Sequence, residues 1–245
     1  VGKNAANGTL YYTLDNGGSW SVVGSVSDSS ALLLPADSNA KVYYSPGSNY
    51  NGSVADALTF RAWDQFSGTS GSYANITSTG GVTSYSTVSD TVAITITSVN
   101  DAPARTAGSL TAISVLEDSA NSSAVTLGLS GVTYGPGGGS DESSQTLSYS
   151  ITAIPSFIEL YKSDGTTQVT TSTTGLLIAD IQGLKYKTLA NANGSGSISI
   201  TVTDSGGTSN GGVNSLTENL SITVTAVNDA PARTAGSLTA ISVLE

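Results

Sequence analysis

The segment VNDAPARTAGSLTAISVLE occupies Val99–Glu117 and recurs without change at Val227–Glu245. The two copies are 128 residues apart, which is about the length of one β-sandwich domain. An identical internal repeat at domain spacing is typical of tandem arrays. We therefore predict a first domain at 1–98, a second at 99–226, and the linker and first strand of a third at 227–245. We expect both ends of the sequence to be cuts through a longer protein.

The ordered-looking runs outside the repeat alternate apolar side chains with Ser or Thr. This period of two is typical of antiparallel strands with one buried face. Clusters of Gly, Asn, Asp and Pro separate the runs and predict turns, and only Ile178–Gly183 suggests a single helical turn. The sequence thus predicts an all-β fold of tandem Greek-key β-sandwiches with little or no helix, whose clearest strands are Leu58–Trp63, Thr91–Thr97, Ile198–Thr203 and Leu220–Thr225.

The composition indicates an extracellular protein. The chain has no Cys, His or Met, and charged residues are 11% of it, well below the usual quarter. Its net charge is −10, and Lys and Arg never cluster, which argues against nucleic-acid binding. No apolar run approaches the roughly 20 residues of a membrane helix. We expect a secreted protein of a bacterial cell surface.

The first domain looks incomplete beside the second. The stretch Arg105–Thr133 supplies the opening strands of the second domain, and nothing comparable precedes Asn7–Tyr12. We therefore expect the first domain to lack its first one or two strands and to expose a sheet edge. The tail Ala232–Glu245 copies such an opening strand. In a continuous array it would start the next domain, which we favour; in separate chains it could complement a neighbour.

Acidic and amide side chains are placed where domains would meet. Asn100 and Asp101 precede a Pro that ends the last strand of the first domain, and Asn228 and Asp229 do the same after the second. Calcium takes six to eight oxygen ligands from carboxylates and carbonyls, so such a junction suits it. Other candidate acids lie in turns or at strand ends, namely Asp64, Glu117, Asp141, Glu142 and Asp204.

These motifs resemble the cadherin-like, immunoglobulin-like repeats of giant bacterial surface adhesins. The resemblance rests on the Asn-Asp-Ala-Pro linker and on the positions of the other acids. It implies that Asn100 and Asp101 are linker ligands of Ca²⁺. It further implies that Asp141 and Glu142 form a ligand turn, that Asp64 and Asp204 end ligand strands, and that Glu117 serves the next junction with Asn228 and Asp229. The leading Asp of the animal linker is Ser98 or Ala226 here.

Two other classes of function are weaker. Without His or Cys, the common nucleophile–base pairs cannot be built, so we expect no enzyme. A carbohydrate-binding module is the stronger alternative, because exposed aromatic rings can stack on sugars. Trp63 lies on an alternating strand and is expected in the core. The other candidates are Trp20 and the pairs Tyr11–Tyr12 and Tyr43–Tyr44.

We therefore expect a non-enzymatic structural and adhesive repeat of an extracellular filament or surface protein. Calcium would bind the folded junctions and stiffen the array into a rod. The expected partners are neighbouring repeats of the same chain or identical subunits joined head to tail, with glycans or a host or cell surface as further candidates.

Overall fold

The computed structural model describes residues 1–5, 7–119, 122–237 and 241–243 of the chain. Its contacts divide into two compact units. Unit 1 comprises Val1–Val99 with Gly138–Asp141, and unit 2 comprises Asn100–Gly137 with Glu142–Glu245. Residues 227–237 and 241–243 form no strand or helix, and the rest of the predicted third-repeat strand lies outside the described residues.

Unit 1 consists of short strands around two longer ones. Its strands are β1 (Gly2–Lys3), β2 (Gly8–Thr13), β3 (Ser21–Val22), β4 (Ala31–Leu32), β5 (Lys41–Pro46), β6 (Gly52–Trp63), β7 (Tyr73–Ala74) and β8 (Tyr85–Ile96). They form three sheets with the orders β1-β6-β8, β3-β2-β5 and β4-β7, and every pairing is antiparallel. The long hairpin β6–β8 is the largest element of this unit.

In its described residues, unit 2 contains ten strands, one short α-helix and two 3-10 turns. The strands and the α-helix are β9 (Ala104–Ala107), β10 (Ile113–Leu116), β11 (Val125–Thr126), β12 (Thr133–Gly135), β13 (Leu147–Ala153), β14 (Ile158–Tyr161), β15 (Gln168–Val169), α1 (Ile178–Gln182), β16 (Lys185–Thr188), β17 (Gly194–Asp204) and β18 (Ser215–Thr225). The sheets run β10-β18-β17-β13, β11-β16-β14-β15 and β12-β9. Among the described strands of this unit, only β10 pairs in parallel, on the outer edge of β18.

The core of unit 2 lies between its two four-stranded sheets. The alternating residues of β17 and β18 send Ile200, Ile222 and their neighbours inward, where they are fully buried. Leu160 and Tyr186 meet them from the opposite sheet. Burial of each large aliphatic side chain contributes about 1.5–3 kcal/mol, so this layer holds the sandwich together.

The all-β prediction is confirmed, as are the four strands named from the alternation and the single helical turn at Ile178. The antiparallel sheets agree with a β-sandwich. The Greek-key connectivity and the cadherin-like class stay predictions. So does the division into domains at 1–98, 99–226 and 227–245.

Candidate functional site

Asp204 lies where β17 ends, at one end of unit 2. Its side chain is 5% exposed. Its Oδ1 accepts hydrogen bonds from the backbone N–H of Gly206 at 2.8 Å and from Asn100 Nδ2 at 3.0 Å. The first bond closes a turn directly after the strand, and the second joins the strand end to the linker. Asn100 is itself fixed because its backbone carbonyl accepts from Val213 N and its Nδ2 donates to Val213 O.

Glu142 brings a second carboxylate to the same cluster. It belongs to the 3-10 turn Ser140–Glu142 and is 2% exposed. Its Oε1 accepts from the backbone N–H of Asp101 at 2.6 Å. Gln145, one turn further along, donates from Nε2 to Asn100 Oδ1 at 2.7 Å. Asn100, Gln145 and Asp204 are thus joined by side-chain hydrogen bonds, and Glu142 bonds the backbone of the adjacent Asp101; we call these four residues the linker cluster, in which the carboxylates are buried and the amides half-buried.

Three oxygens of the linker cluster receive no hydrogen bond from any described protein group. They are Glu142 Oε2, Asp204 Oδ2 and Gln145 Oε1, and all three are buried. Neither carboxylate has a salt bridge to Lys or Arg within the described ranges. A buried carboxylate without a cation or a full set of donors is costly, because it loses its hydration without replacement. The cluster is therefore chemically suited to accept a cation.

A second polar group lies around Glu117. This side chain is 6% exposed, and both its oxygens are bonded, Oε1 by the backbone N–H of Val227 at 2.6 Å and Oε2 by Asn193 Nδ2 at 3.1 Å. Asp118 Oδ1 accepts from Asn191 N at 3.2 Å. Asn100 forms its hydrogen bonds next to the start of β18, and Glu117 forms its hydrogen bonds next to the end of that strand. The eleven residues of β18 therefore separate the two polar groups by roughly 36 Å. The acids of one repeat segment lie at opposite ends of unit 2.

The other predicted ligands do not join either group through their side chains. All five are exposed: Asp64, Asp101, Asp141, Asn228 and Asp229. Asp64 Oδ1 accepts from Phe66 N at 2.9 Å, which closes its own turn, and Asn228 Nδ2 donates to Asp229 O at 3.1 Å. In the described part of the chain, no three His, Cys, Asp or Glu side chains come together as a metal-binding group. The linker cluster combines two carboxylates with carboxamides instead.

Sequence reasoning missed Gln145. It lies three residues after Glu142, and in a helical turn such a spacing places two side chains on the same side. That spacing was the available signal, but it is informative only once Ser140–Glu142 is known to form a turn.

Aromatic side chains form a separate surface group on unit 1. Trp20 packs edge-on against Tyr43 with ring centroids 5.9 Å apart, and Tyr11 lies 6.2 Å from Tyr43. Trp20 is 43% and Tyr43 52% exposed. Trp63 is not part of this group: it is half-buried, and its Nε1 donates to Ser67 O at 2.7 Å. Tyr11, Trp20 and Tyr43 therefore form a small exposed aromatic patch.

The described residues include no helix that is long and apolar enough to cross a membrane. Comparisons with family models, with curated proteins and with solved structures found nothing that matches this chain.

Proposed function

We propose that this chain is a non-enzymatic structural and adhesive repeat of an extracellular bacterial surface protein or filament, and that Ca²⁺ binds its linker cluster. One observation carries the proposal. Glu142, Gln145 and Asp204 each hold one buried side-chain oxygen without a donor, and their other polar atoms bond Asn100 or the backbone of Asp101.

The chemistry of these donors favours calcium over other divalent ions. Calcium accepts carboxylate and carboxamide oxygens in irregular arrangements, and it takes six to eight of them. Zinc and copper sites rely on imidazole or thiolate, and this chain contains neither. Glu142 and Asp204 would supply the charge and Gln145 a carbonyl oxygen. The exposed carboxylate of Asp101, beside Asn100 in the chain, is available to contribute to the site.

Calcium would act on this protein by stabilising the folded state. An ion that binds only the folded form adds about 2.7 kcal/mol at a concentration 100 times its dissociation constant. Because Asn100 comes four residues after the end of β8, the last strand of unit 1, an ion held by the linker cluster would also fix the start of the linker. Stiffening of successive repeats into a rod follows as part of the proposal. The assignment of Glu117, Asn228 and Asp229 to a further calcium site stays a prediction.

Thermal unfolding with and without a chelator tests the proposal. We expect EGTA to lower the Tm of the chain, and calcium but not equimolar magnesium to restore it. Asp204→Asn and Glu142→Gln should each abolish most of the calcium-dependent rise. Asp164→Asn is the matched control, since Asp164 is an exposed turn residue of the same unit. A Tm that is the same in calcium and in EGTA would contradict the calcium site.

The aromatic patch supports a second candidate function, binding of carbohydrate. Exposed rings with apolar faces and polar edges are suited to stack on sugars, and Tyr11, Trp20 and Tyr43 lie side by side. A glycan array would test it. Binding that is lost in Trp20→Ala and kept in Phe66→Ala would support a lectin-like role, since Phe66 is equally aromatic and 90% exposed but outside the patch. If no glycan on the array binds, the patch does not have this role.

A further inference from the structure

The sheet β3-β2-β5 of unit 1 carries the aromatic patch on its outer face. Tyr11 in β2 lies directly opposite Tyr43 in β5 and Val22 in β3. Successive side chains of a strand point to opposite faces, so the buried Leu10 marks the inner face and Tyr11 the outer one. Trp20 comes two residues before Val22 and packs against Tyr43 on the outer face.

The turn between β2 and β3 holds Trp20 in place. Asp15 accepts hydrogen bonds from Ser19 N at 2.9 Å and from Ser19 Oγ at 2.6 Å, so the residue next to Trp20 is fixed. The indole also passes close to Gly17, where an added Cβ would lie 3.6 Å from Trp20 Cζ2. A ring that is already held in place loses little conformational freedom when a ligand binds.

The three rings of the aromatic patch line one open cavity of about 390 Å³, and among the described residues no other side chain lines it. The ring planes of Trp20 and Tyr43 are inclined at 62°, and those of Tyr11 and Tyr43 at 31°. A flat sugar ring stacks best on a single plane, whereas a compact round group can touch several rings that are inclined to one another. The geometry therefore favours a compact group with an apolar surface.

The chemistry of the rings favours a positive charge on that group. The face of an aromatic ring is electron-rich and attracts a cation that lies within about 6 Å of the ring centroid, and Trp attracts it most strongly. Quaternary ammonium groups suit such sets of rings, because they are cationic and carry methyl groups on all sides. The net charge of −10 also draws cations towards the chain. A trimethylammonium group has the shape and the charge that the cavity requires.

Lys41 adds a positive charge beside the aromatic patch. It lies two residues before Tyr43 in β5, and therefore on the same face, roughly 7 Å away along the strand. Lys41 is exposed and forms no salt bridge within the described residues. The carboxylate of Asp15, which follows β2, is occupied by hydrogen bonds from Thr13 and Ser19. Lys41 would repel a bare cation, so the ligand should carry an anion next to its ammonium group.

We propose that the aromatic patch binds phosphocholine, with the trimethylammonium group in the cavity between Tyr11, Trp20 and Tyr43 and the phosphate at Lys41. The two opposite charges of this headgroup then meet complementary groups that are spaced along β5. A membrane lipid or a glycan can carry the headgroup, and the patch recognises the chemistry common to both. The proposal is independent of the calcium site, and stacking of a neutral sugar on the same rings is the competing outcome.

NMR titration with phosphocholine tests the proposal. The chain has two tryptophans, Trp20 in the patch and Trp63 outside it, where its indole N–H donates to Ser67 O. The indole N–H signal of Trp20 should shift during the titration and that of Trp63 should not. Neohexyl phosphate, in which carbon replaces the ammonium nitrogen, should bind about tenfold more weakly. Equal binding of the two compounds, or a Trp20 signal that does not shift, would overturn the proposal.

Variants test the two parts of the ligand separately. Trp20→Ala and Tyr43→Ala should each weaken phosphocholine binding about tenfold in calorimetry and keep the circular dichroism spectrum, because both side chains are about half exposed. Lys41→Gln should weaken the binding of phosphocholine but not that of choline, which lacks the phosphate. Phe66→Ala is the matched control and should bind like the wild type, since Phe66 lies outside the patch. A Lys41→Gln variant that binds phosphocholine as well as the wild type would overturn the placement of the phosphate.

Two carriers of the headgroup identify its source. Binding to phosphatidylcholine vesicles alone would indicate a membrane lipid, and binding to phosphocholine coupled to albumin alone would indicate a headgroup on a glycan or other soluble carrier. Either result supports the proposal if free phosphocholine competes, and binding to neither carrier overturns it. A patch that binds a neutral glycan but not phosphocholine has the sugar-binding role instead. Asp204→Asn should leave phosphocholine binding unchanged, so failure of the calcium site and failure of this proposal are distinguishable.

Discussion

The hairpins β6–β8 and β17–β18 have closely similar alternation of apolar and polar residues, but they differ in how far their apolar side chains are buried. Phe60 is 43% exposed, whereas Ile200, equally far from the acid that ends its strand, is fully buried. Both hairpins alternate and both pair antiparallel along most of their length. The difference shows that alternation specifies the strand and its inner face, but the neighbouring strands decide whether that face is buried.

The acids that end β6 and β17 differ in the same way. Asp64 and Asp204 each accept from the backbone N–H two residues later, so they close equivalent turns. Only Asp204 also accepts a hydrogen bond from the Asn100 side chain, and of the two acids only Asp204 is buried. Local sequence therefore makes the turn, and Asn100 of the linker that precedes the unit brings the turn into the linker cluster.

Truncation of matched core residues should give the largest difference between the units. Ile222→Ala should cost unit 2 about 2–5 kcal/mol, because the fully buried side chain leaves a cavity. Ile94→Ala should cost unit 1 about 1 kcal/mol, because Ile94 is only half-buried. Guanidinium unfolding measures both. Tryptophan fluorescence reports unit 1 alone, since Trp20 and Trp63 both lie there, and circular dichroism follows the whole chain.

Equal losses in Ile222→Ala and Ile94→Ala would break this comparison, because they would mean that the side chain of Ile94 is as well packed as that of Ile222.

The sequence predicted those features that depend on neighbours in the chain. The strand at Ile198–Thr203 and the turn after it follow from alternation and from Gly206–Gly207, and the repeat at Val99 and Val227 predicted two units. Burial of Glu142 rather than Asp101 was not predictable, because it depends on how a turn packs against the linker. The same holds for Gln145, whose partner Asn100 is 45 residues away.

Removal of matched amides should give an intermediate effect. Asn193→Ala leaves Glu117 Oε2 buried without a donor, which should cost unit 2 about 1–3 kcal/mol. Asn51→Ala in unit 1 should change stability by less than about 0.5 kcal/mol. Urea unfolding measures both effects, and an Asn51→Ala variant that unfolds as easily as Asn193→Ala would break the comparison.

Turn aspartates should show the smallest difference, and here the two units should behave alike. Hydrogen bonds from Ser19 and Thr13 hold the pKa of Asp15 well below its usual range, and those from Thr167 and Thr166 do the same for the pKa of Asp164. A pKa that is lower in the folded state stabilises the fold above the unfolded value, near 4, and this contribution is lost as pH falls below it. Carboxyl ¹³C shifts should therefore show both groups titrating below pH 4. Asp15→Asn and Asp164→Asn should each flatten the acid limb of the stability curve slightly and to a similar extent. Because these bonds form within a few residues of the chain, the difference in burial between the two units should not affect them. An ordinary titration of Asp15 alone would show that this difference reaches the turns.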